Sequence, residues 1–170
     1  MFTLIHAFAN YLLAVPIRKR VDIIALLIAS ILPDLEGLYY TSAAYDACAG
    51  ELACMAAYPS HYVLHSFFGI FLIVAPLTAV ILILMKKYGV LKSINVRTAY
   101  LSALAGGLLH VAADATYHKG ADALYLLWPA QQQFSFAFEG SHTLWAALAG
   151  VGLFAFILFE KKRIEAMLKR

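Results

Sequence analysis

Apolar residues along the chain gather into five segments that are separated by shorter polar stretches. The segments cover residues 2–16, 21–33, 61–85, 97–118 and 141–159. Because about 20 apolar residues in a helix cross the ~30 Å hydrocarbon layer of a bilayer, the last three segments suit a full span, whereas the first two are short. The pattern predicts a single domain over residues 1–170, an all-α integral membrane protein with a bundle of about five transmembrane helices.

The composition agrees with a membrane protein. Hydrophobic residues make up 63% of the 170 residues and charged residues only 14%, whereas a soluble domain carries about 25% charged residues. The mean hydropathy is +0.77. The net charge of +3 is too small to indicate binding to nucleic acid.

The basic residues indicate how the chain is oriented. Twelve of the thirteen Lys and Arg residues follow the first, third or fifth segment, and Lys119 is the exception. With five spans these twelve positions share one side of the membrane, which the positive-inside rule makes cytoplasmic. We therefore predict a multi-pass protein of the plasma (inner) membrane, with its N-terminus outside and its C-terminus in the cytoplasm.

All six histidines gather near the opposite, non-cytoplasmic ends of the segments. His110, Asp114 and His118 are spaced four residues apart, which places them on one face of a helix. An isolated carboxylate within a membrane is costly, and no Lys or Arg lies near Asp114 in the apolar segments. The sequence therefore favours a metal ion as the partner of His110 and Asp114, with structural pairing of the two side chains as the alternative.

The predicted metal site takes its ligands from several segments, because one ion needs about four of them. Asp34, His65, His110 and Asp114 would supply these ligands, and His6 is a further candidate near the outer end of the first segment. Mixed imidazole and carboxylate ligands suit zinc, with manganese or iron as alternatives. We assign no role to His61.

A second set of polar residues is left for another ion. It consists of His118, Glu139 and His142, and Asp114 would bridge the two ions. Two metal ions ~3.5–4 Å apart activate a water and clamp both oxygens in a phosphoryl displacement. The predicted catalytic residues are then Asp34 as ligand and proton acceptor, Glu36 as general base, and Asp114 as the pivotal ligand.

Short motifs in a fixed order carry a family resemblance. They are the early His6, "LPDLEG" at 32–37, "HYVLHS" at 61–66, "GGLLHVAAD" at 106–114 and "LLWP" at 126–129. The set resembles the YdjM-type family of membrane-bound metal-dependent hydrolases, which is similar to the zinc-dependent phospholipase C and single-strand nuclease superfamily. The resemblance implies that Asp34, His65, His110 and Asp114 bind one metal and that His118, Glu139 and His142 bind another. Glu36 stands where the family has a second Asp.

The segment between the fourth and fifth helices points to a lipid substrate. It is rich in aromatic residues, with Trp128, Phe134, Phe136 and Phe138 close to the predicted membrane surface. Such a belt is typical of an interface, and above a metal site it would also guide a lipid. We therefore predict a phospholipase C-like enzyme or lipid phosphatase, a hydrolase acting at the non-cytoplasmic face.

Two other classes of protein remain open. Histidines from different membrane helices bind haem in electron carriers, although carboxylates beside the histidines speak against haem. A metal transporter or a non-enzymatic metal-binding protein is the other alternative. Transporter sites lie near the midplane of the membrane, whereas the inner halves of these segments carry few polar residues.

The two cysteines, Cys48 and Cys54, lie in the long outer segment between the second and third helices. Conditions outside the cell permit disulfides, and a separation of six residues is easily closed by a turn. The sequence favours a disulfide, with two free thiols as the alternative.

Overall fold

The computed structural model describes residues 3–51, 54, 61–118 and 123–168. These ranges contain five helices: α1 (Thr3–Ala14), α2 (Ile23–Ala47), α3 (Phe67–Lys87), α4 (Val96–Ala115) and α5 (Ser141–Leu168). The described residues form no strand, and one isolated antiparallel bridge joins Leu124 to Phe134. The prediction of an all-α protein is confirmed.

Helix α2 continues well beyond its predicted end at Pro33. It has two α-helical parts, Ile23–Ala29 and Asp34–Ala47, which are joined by a turn at residues 30–33. The predicted end was wrong because Pro33 does not stop the chain from being helical. It precedes the first turn of the second part, where a missing N–H costs nothing and acidic residues are favoured.

Helix α3 begins later than the sequence pattern predicted. Ser66 is its N-cap, and the Ser66 hydroxyl accepts a hydrogen bond from the Gly69 amide at 2.9 Å. Residues 61–66 therefore form a turn, so His61 and His65 do not lie on the helix as expected. A π-helical turn over Ile70–Val74 interrupts α3 close to this end.

Helix α4 ends before the third residue of the His110, Asp114, His118 series. Thr116 is the C-cap, and His118 lies beyond the helix in the following turn. The start is close to the expectation, because the Asn95 side chain caps the helix by accepting a hydrogen bond from the Thr98 amide at 3.1 Å. The four-residue spacing therefore wrongly predicted that His118 lies on the same helix as His110 and Asp114.

Helix α4 packs between α2 and α3, while α1 packs along α5. Two neighbouring glycines allow the close approach on both sides. A β-carbon at Gly106 would collide with the Leu26 carbonyl of α2, and one at Gly107 would lie 2.8 Å from Ile70 Cδ1 of α3. One turn later, the side chain of His110 enters the space between these helices.

Among the residues that the structure describes, three helices are long and apolar enough to cross a membrane: Ile23–Ala47, Phe67–Lys87 and Ser141–Lys161. Large apolar side chains stand exposed on all three of them, such as Leu38 on α2, 65% exposed, Leu72 on α3, 63% exposed, and Phe154 on α5, 64% exposed. Such surfaces are unfavourable in water and suit contact with lipid. These features support the predicted association with a membrane.

Cys48 and Cys54 are joined in a disulfide, and the described part of the chain has no free cysteine. The favoured one of the two sequence-based alternatives is therefore confirmed.

Candidate metal centre

Four buried or half-buried side chains from three helices meet inside the bundle. His6 of α1, Asp34 of α2, and His110 and Asp114 of α4 each offer one ligand atom, and these atoms all lie within 4.8 Å of one another. His6 Nε2 is 3.0 Å from Asp114 Oδ1, and His110 Nε2 is 3.0 Å from Asp114 Oδ2. This group could hold a metal ion.

A second group lies beside the first and shares one residue with it. His61 and His65, from the turn before α3, join Asp114 so that their ligand atoms also lie within 4.8 Å of one another. His65 Nε2 is 3.3 Å from Asp114 Oδ2. Asp114 therefore belongs to both groups, and its carboxylate could be a ligand in either of them.

The protein backbone orients His110 for metal binding. Its Nδ1 lies 2.8 Å from the carbonyl oxygen of Ser30, at the turn within α2. A carbonyl oxygen only accepts hydrogen bonds, so Nδ1 carries the proton and Nε2 of the neutral ring has a free lone pair. Metal-ligating histidines are typically held in this way by their other ring nitrogen.

Glu36 orients His65 in the same manner, because its Oε2 lies 3.1 Å from His65 Nδ1. The Nε2 atoms of His65 and His110 then face each other at 3.2 Å. If both rings are neutral, two lone pairs point at one another next to carboxylate oxygens. Such an arrangement is repulsive unless a cation lies between the groups.

Several buried polar atoms at this place lack hydrogen bonds. They are both ring nitrogens of His6, Oδ2 of Asp34 and both carboxylate oxygens of Asp114. His6 and Asp114 approach closely, yet their angles do not suit a hydrogen bond. Buried polar atoms without partners are rare in proteins and costly, so these residues fit a bound divalent cation.

Within the described residues, no Lys or Arg side chain forms an ion pair with these carboxylates. In the part of the chain that the structure describes, the ion-pair partners of Asp34 and Asp114 are all histidines. Asp114 is only 1% exposed, so solvent does not replace a cation. Imidazole and carboxylate ligands suit several divalent cations, including zinc, iron and manganese.

Glu36 lies outside both groups, although the sequence predicted a general base there. Besides His65, it accepts hydrogen bonds from the backbone amides of residues 62, 63 and 64, at 3.2, 2.7 and 2.9 Å. These contacts occupy both carboxylate oxygens and hold the turn that carries His61 and His65. The geometry is that of a positioning residue.

Of the three residues predicted to bind a second ion, only His118 lies near the two ligand groups. His118 lies near the site, with its Nε2 3.6 Å from Asp114 Oδ1 and its ring 4.0 Å from the ring of His61. Glu139 and His142 are exposed, and His142 packs against Tyr117. Within the described residues neither metal-binding group includes these three.

His61 is the residue that the sequence reasoning left unassigned. Its four-residue spacing from His65 is a signal in the sequence, although the two residues lie in a turn rather than on one helix face. In a tight turn, the rings of both His61 and His65 point toward Asp114.

The contribution of the Ser30 carbonyl to the site could not be found from side-chain patterns, because it depends on where the backbone of α2 turns.

His61→Ala and His142→Ala distinguish the two possible sites for a second ion. We expect His61→Ala to lower the bound metal by about one ion per protein, since His61 is in a buried ligand group. His142→Ala should leave the metal content unchanged because its side chain is exposed. Metal analysis of the purified variants measures both effects. Loss of one ion in His142→Ala but not in His61→Ala would favour the second site that the sequence predicted, with His118, Glu139 and His142 as ligands.

The fold and the buried ligand groups define a helical, membrane-associated protein with a candidate metal centre. Comparisons of the chain with protein-family models, curated proteins and solved structures find no match. The resemblance to the YdjM-type family therefore stays a prediction.

Proposed function

We propose that the protein is a multi-pass membrane enzyme that uses zinc to hydrolyse a phosphoester of a lipid at the non-cytoplasmic face. The observation that carries this proposal is the sharing of Asp114 between two buried groups of ligand atoms. Two cations held that close suit the displacement of a phosphoryl group, because each stabilises one of the oxygens whose charge changes.

The residues have distinct roles in this proposal. His6, Asp34, His110 and Asp114 would hold one cation, and His61, His65 and Asp114 would hold the other. Bound zinc polarises a phosphoryl oxygen and makes a coordinated water more acidic. Asp34 is the most exposed carboxylate of the site, with a side chain 15% exposed. It is therefore the residue best placed to accept a proton from the attacking water.

The surroundings of the site favour a lipid over a soluble phosphoester. The segment between α4 and α5 is attached next to the site, since the Phe136 amide donates to the Ala115 carbonyl at 2.6 Å and Ser135 Oγ donates to the His118 carbonyl. The same segment exposes Phe136 and Phe138. These rings would contact the hydrocarbon of a substrate whose phosphate lies at the metals.

The test is hydrolysis of lipid phosphoesters by zinc-loaded protein in bilayers. A lipid should be cleaved faster than its water-soluble headgroup analogue, because binding energy from the acyl chains is used at the reacting phosphate. Asp46→Asn, an exposed carboxylate on α2, is the control. Bound zinc without hydrolysis of any lipid or headgroup would contradict an enzyme, and zinc uptake into sealed vesicles would favour a transporter.

The proposed orientation is tested by labelling single introduced cysteines. Because the described native cysteines are paired, Lys119→Cys and Lys92→Cys each add one reactive thiol. An impermeant reagent should label position 119 in intact cells and position 92 only after permeabilisation. The reverse pattern would place the metal centre on the cytoplasmic side.

A further inference from the structure

Two neighbouring cavities lie at the end of the bundle opposite the metal centre. Their volumes are about 370 and 320 Å³, and Lys19, Glu160 and Arg163 line both. The larger cavity is also bounded by the connection from α1 to α2 and by the start of α4. This is the end that the basic residues mark as cytoplasmic.

The walls of the two cavities carry four basic side chains but only two acidic ones: Arg18, Lys19, Arg20 and Arg163, against Asp22 and Glu160. The cavities therefore have an excess of two positive charges.

Both acidic side chains are already occupied by donors from the protein. Asp22 Oδ1 accepts from the Ala25 amide at 3.0 Å. Glu160 is 1% exposed, and it accepts from the Tyr11 hydroxyl at 3.1 Å and from Arg163 at 3.3 Å. Within the described residues, neither carboxylate forms an ion pair with Lys19 or Arg20.

Arg163 is fixed in place on the wall of both cavities. Besides Glu160, its guanidinium donates to the carbonyls of Arg18 at 3.0 Å and Val21 at 3.3 Å. These bonds tie α5 to the connection between α1 and α2. In the described part of the chain Lys19 and Arg20 have no ion pair, so their charges are left for a ligand.

We propose that this cavity pair binds a phosphate group, supplied by the headgroup of an anionic phospholipid in the cytoplasmic leaflet. A phosphate diester carries one negative charge and a monoester up to two, which matches the excess of positive charge. Basic pockets between membrane helices on the cytoplasmic side suit anionic headgroups. The site is separate from the proposed hydrolase centre and rests only on the proposed orientation in the membrane.

Binding of phosphatidylglycerol and phosphatidylcholine to the purified full-length protein, measured by native mass spectrometry, tests this proposal. The wild-type protein should retain more phosphatidylglycerol than phosphatidylcholine. Lys19→Gln/Arg20→Gln should weaken this binding roughly tenfold, since each basic residue near a membrane contributes to the attraction of anionic lipid. The exposed residues are not part of the core, and thermal unfolding checks that the variant is folded.

Lys86→Gln/Lys87→Gln is the matched control, because it removes two exposed basic residues from the same face but outside the cavities. It should change binding by less than about twofold. Equal losses in the two double variants, or no preference for phosphatidylglycerol in the wild type, would overturn the proposal.

Inorganic phosphate, added alone, identifies the source of the ligand. Stabilisation by phosphatidylglycerol without stabilisation by inorganic phosphate supports a lipid headgroup, whereas equal stabilisation by both, lost in Lys19→Gln/Arg20→Gln, supports a site for free phosphate. Stabilisation by neither overturns the site. None of these readouts depends on zinc or on hydrolysis, so failure here is distinct from failure of the proposed enzyme.

Discussion

Asp114→Asn should remove most of the bound metal and abolish hydrolysis while the protein still folds. The substitution keeps the shape of the side chain but removes the negative charge that both ligand groups share. A neutral amide oxygen is a much weaker ligand for a cation than a carboxylate. Metal analysis, hydrolysis of lipid phosphoesters and thermal unfolding of the purified variant measure the three parts of this expectation.

Asp46→Asn is the control for Asp114→Asn, since it removes a carboxylate from an exposed position on α2. It should keep full metal content and full activity. Unchanged metal binding in Asp114→Asn would show that the convergence of histidines on Asp114 has another cause, such as protonated rings paired with the carboxylate. Lost metal in both variants would show that overall charge, rather than this site, governs metal uptake.

Glu36→Gln should weaken metal binding about 10- to 100-fold, the usual effect of removing a residue that orients a ligand. One carboxylate oxygen becomes an amide nitrogen, which cannot accept hydrogen bonds. If the nitrogen replaces Oε1, the bond from the residue 63 amide is lost; if it replaces Oε2, the bonds from the residue 62 and 64 amides and from His65 Nδ1 are lost. The turn that holds His61 and His65 would lose part of its support. We expect a loss of stability of about 1–3 kcal/mol, because buried donors are left without partners.

Zinc titration and thermal unfolding measure the effect of Glu36→Gln, with Glu51→Gln as the control at an exposed position. The two accounts of Glu36 differ in their outcomes. A positioning residue affects metal affinity and stability together. Unchanged affinity and stability combined with lost hydrolysis would instead support the general base that the sequence predicted.

The helical segments could be predicted because each depends on a local pattern. The number and the approximate position of the five helices follow from apolar runs of suitable length, with polar stretches between them. The starts of α3 and α4 depend on single capping residues, Ser66 and Asn95. Asn95 begins α4 within one residue of the predicted start at residue 97. Ser66 was not recognised as the cap of α3, because the spacing of His61 and His65 suggested that the helix begins before it.

The candidate ligands could also be found from the sequence, although their grouping could not. Histidines gathered at one end of several apolar segments, together with a buried carboxylate, indicate a metal site wherever the helices later pack. Six of the eight predicted metal ligands lie in or next to the two groups: His6, Asp34, His65, His110, Asp114 and His118. Glu139 and His142, in contrast, are exposed.

The sequence by itself determined the helical class, the suitability for a membrane and the concentration of ligating residues toward one end, because each depends on residue type and local spacing. Only the tertiary structure decided which residues form each group. That choice depends on the turn at residues 30–33, which presents the Ser30 carbonyl to His110, and on the turn at 61–66, which Glu36 holds. Contacts between residues so distant along the chain leave no periodic pattern in the sequence, because they arise from how close Gly106 and Gly107 allow three helices to pack.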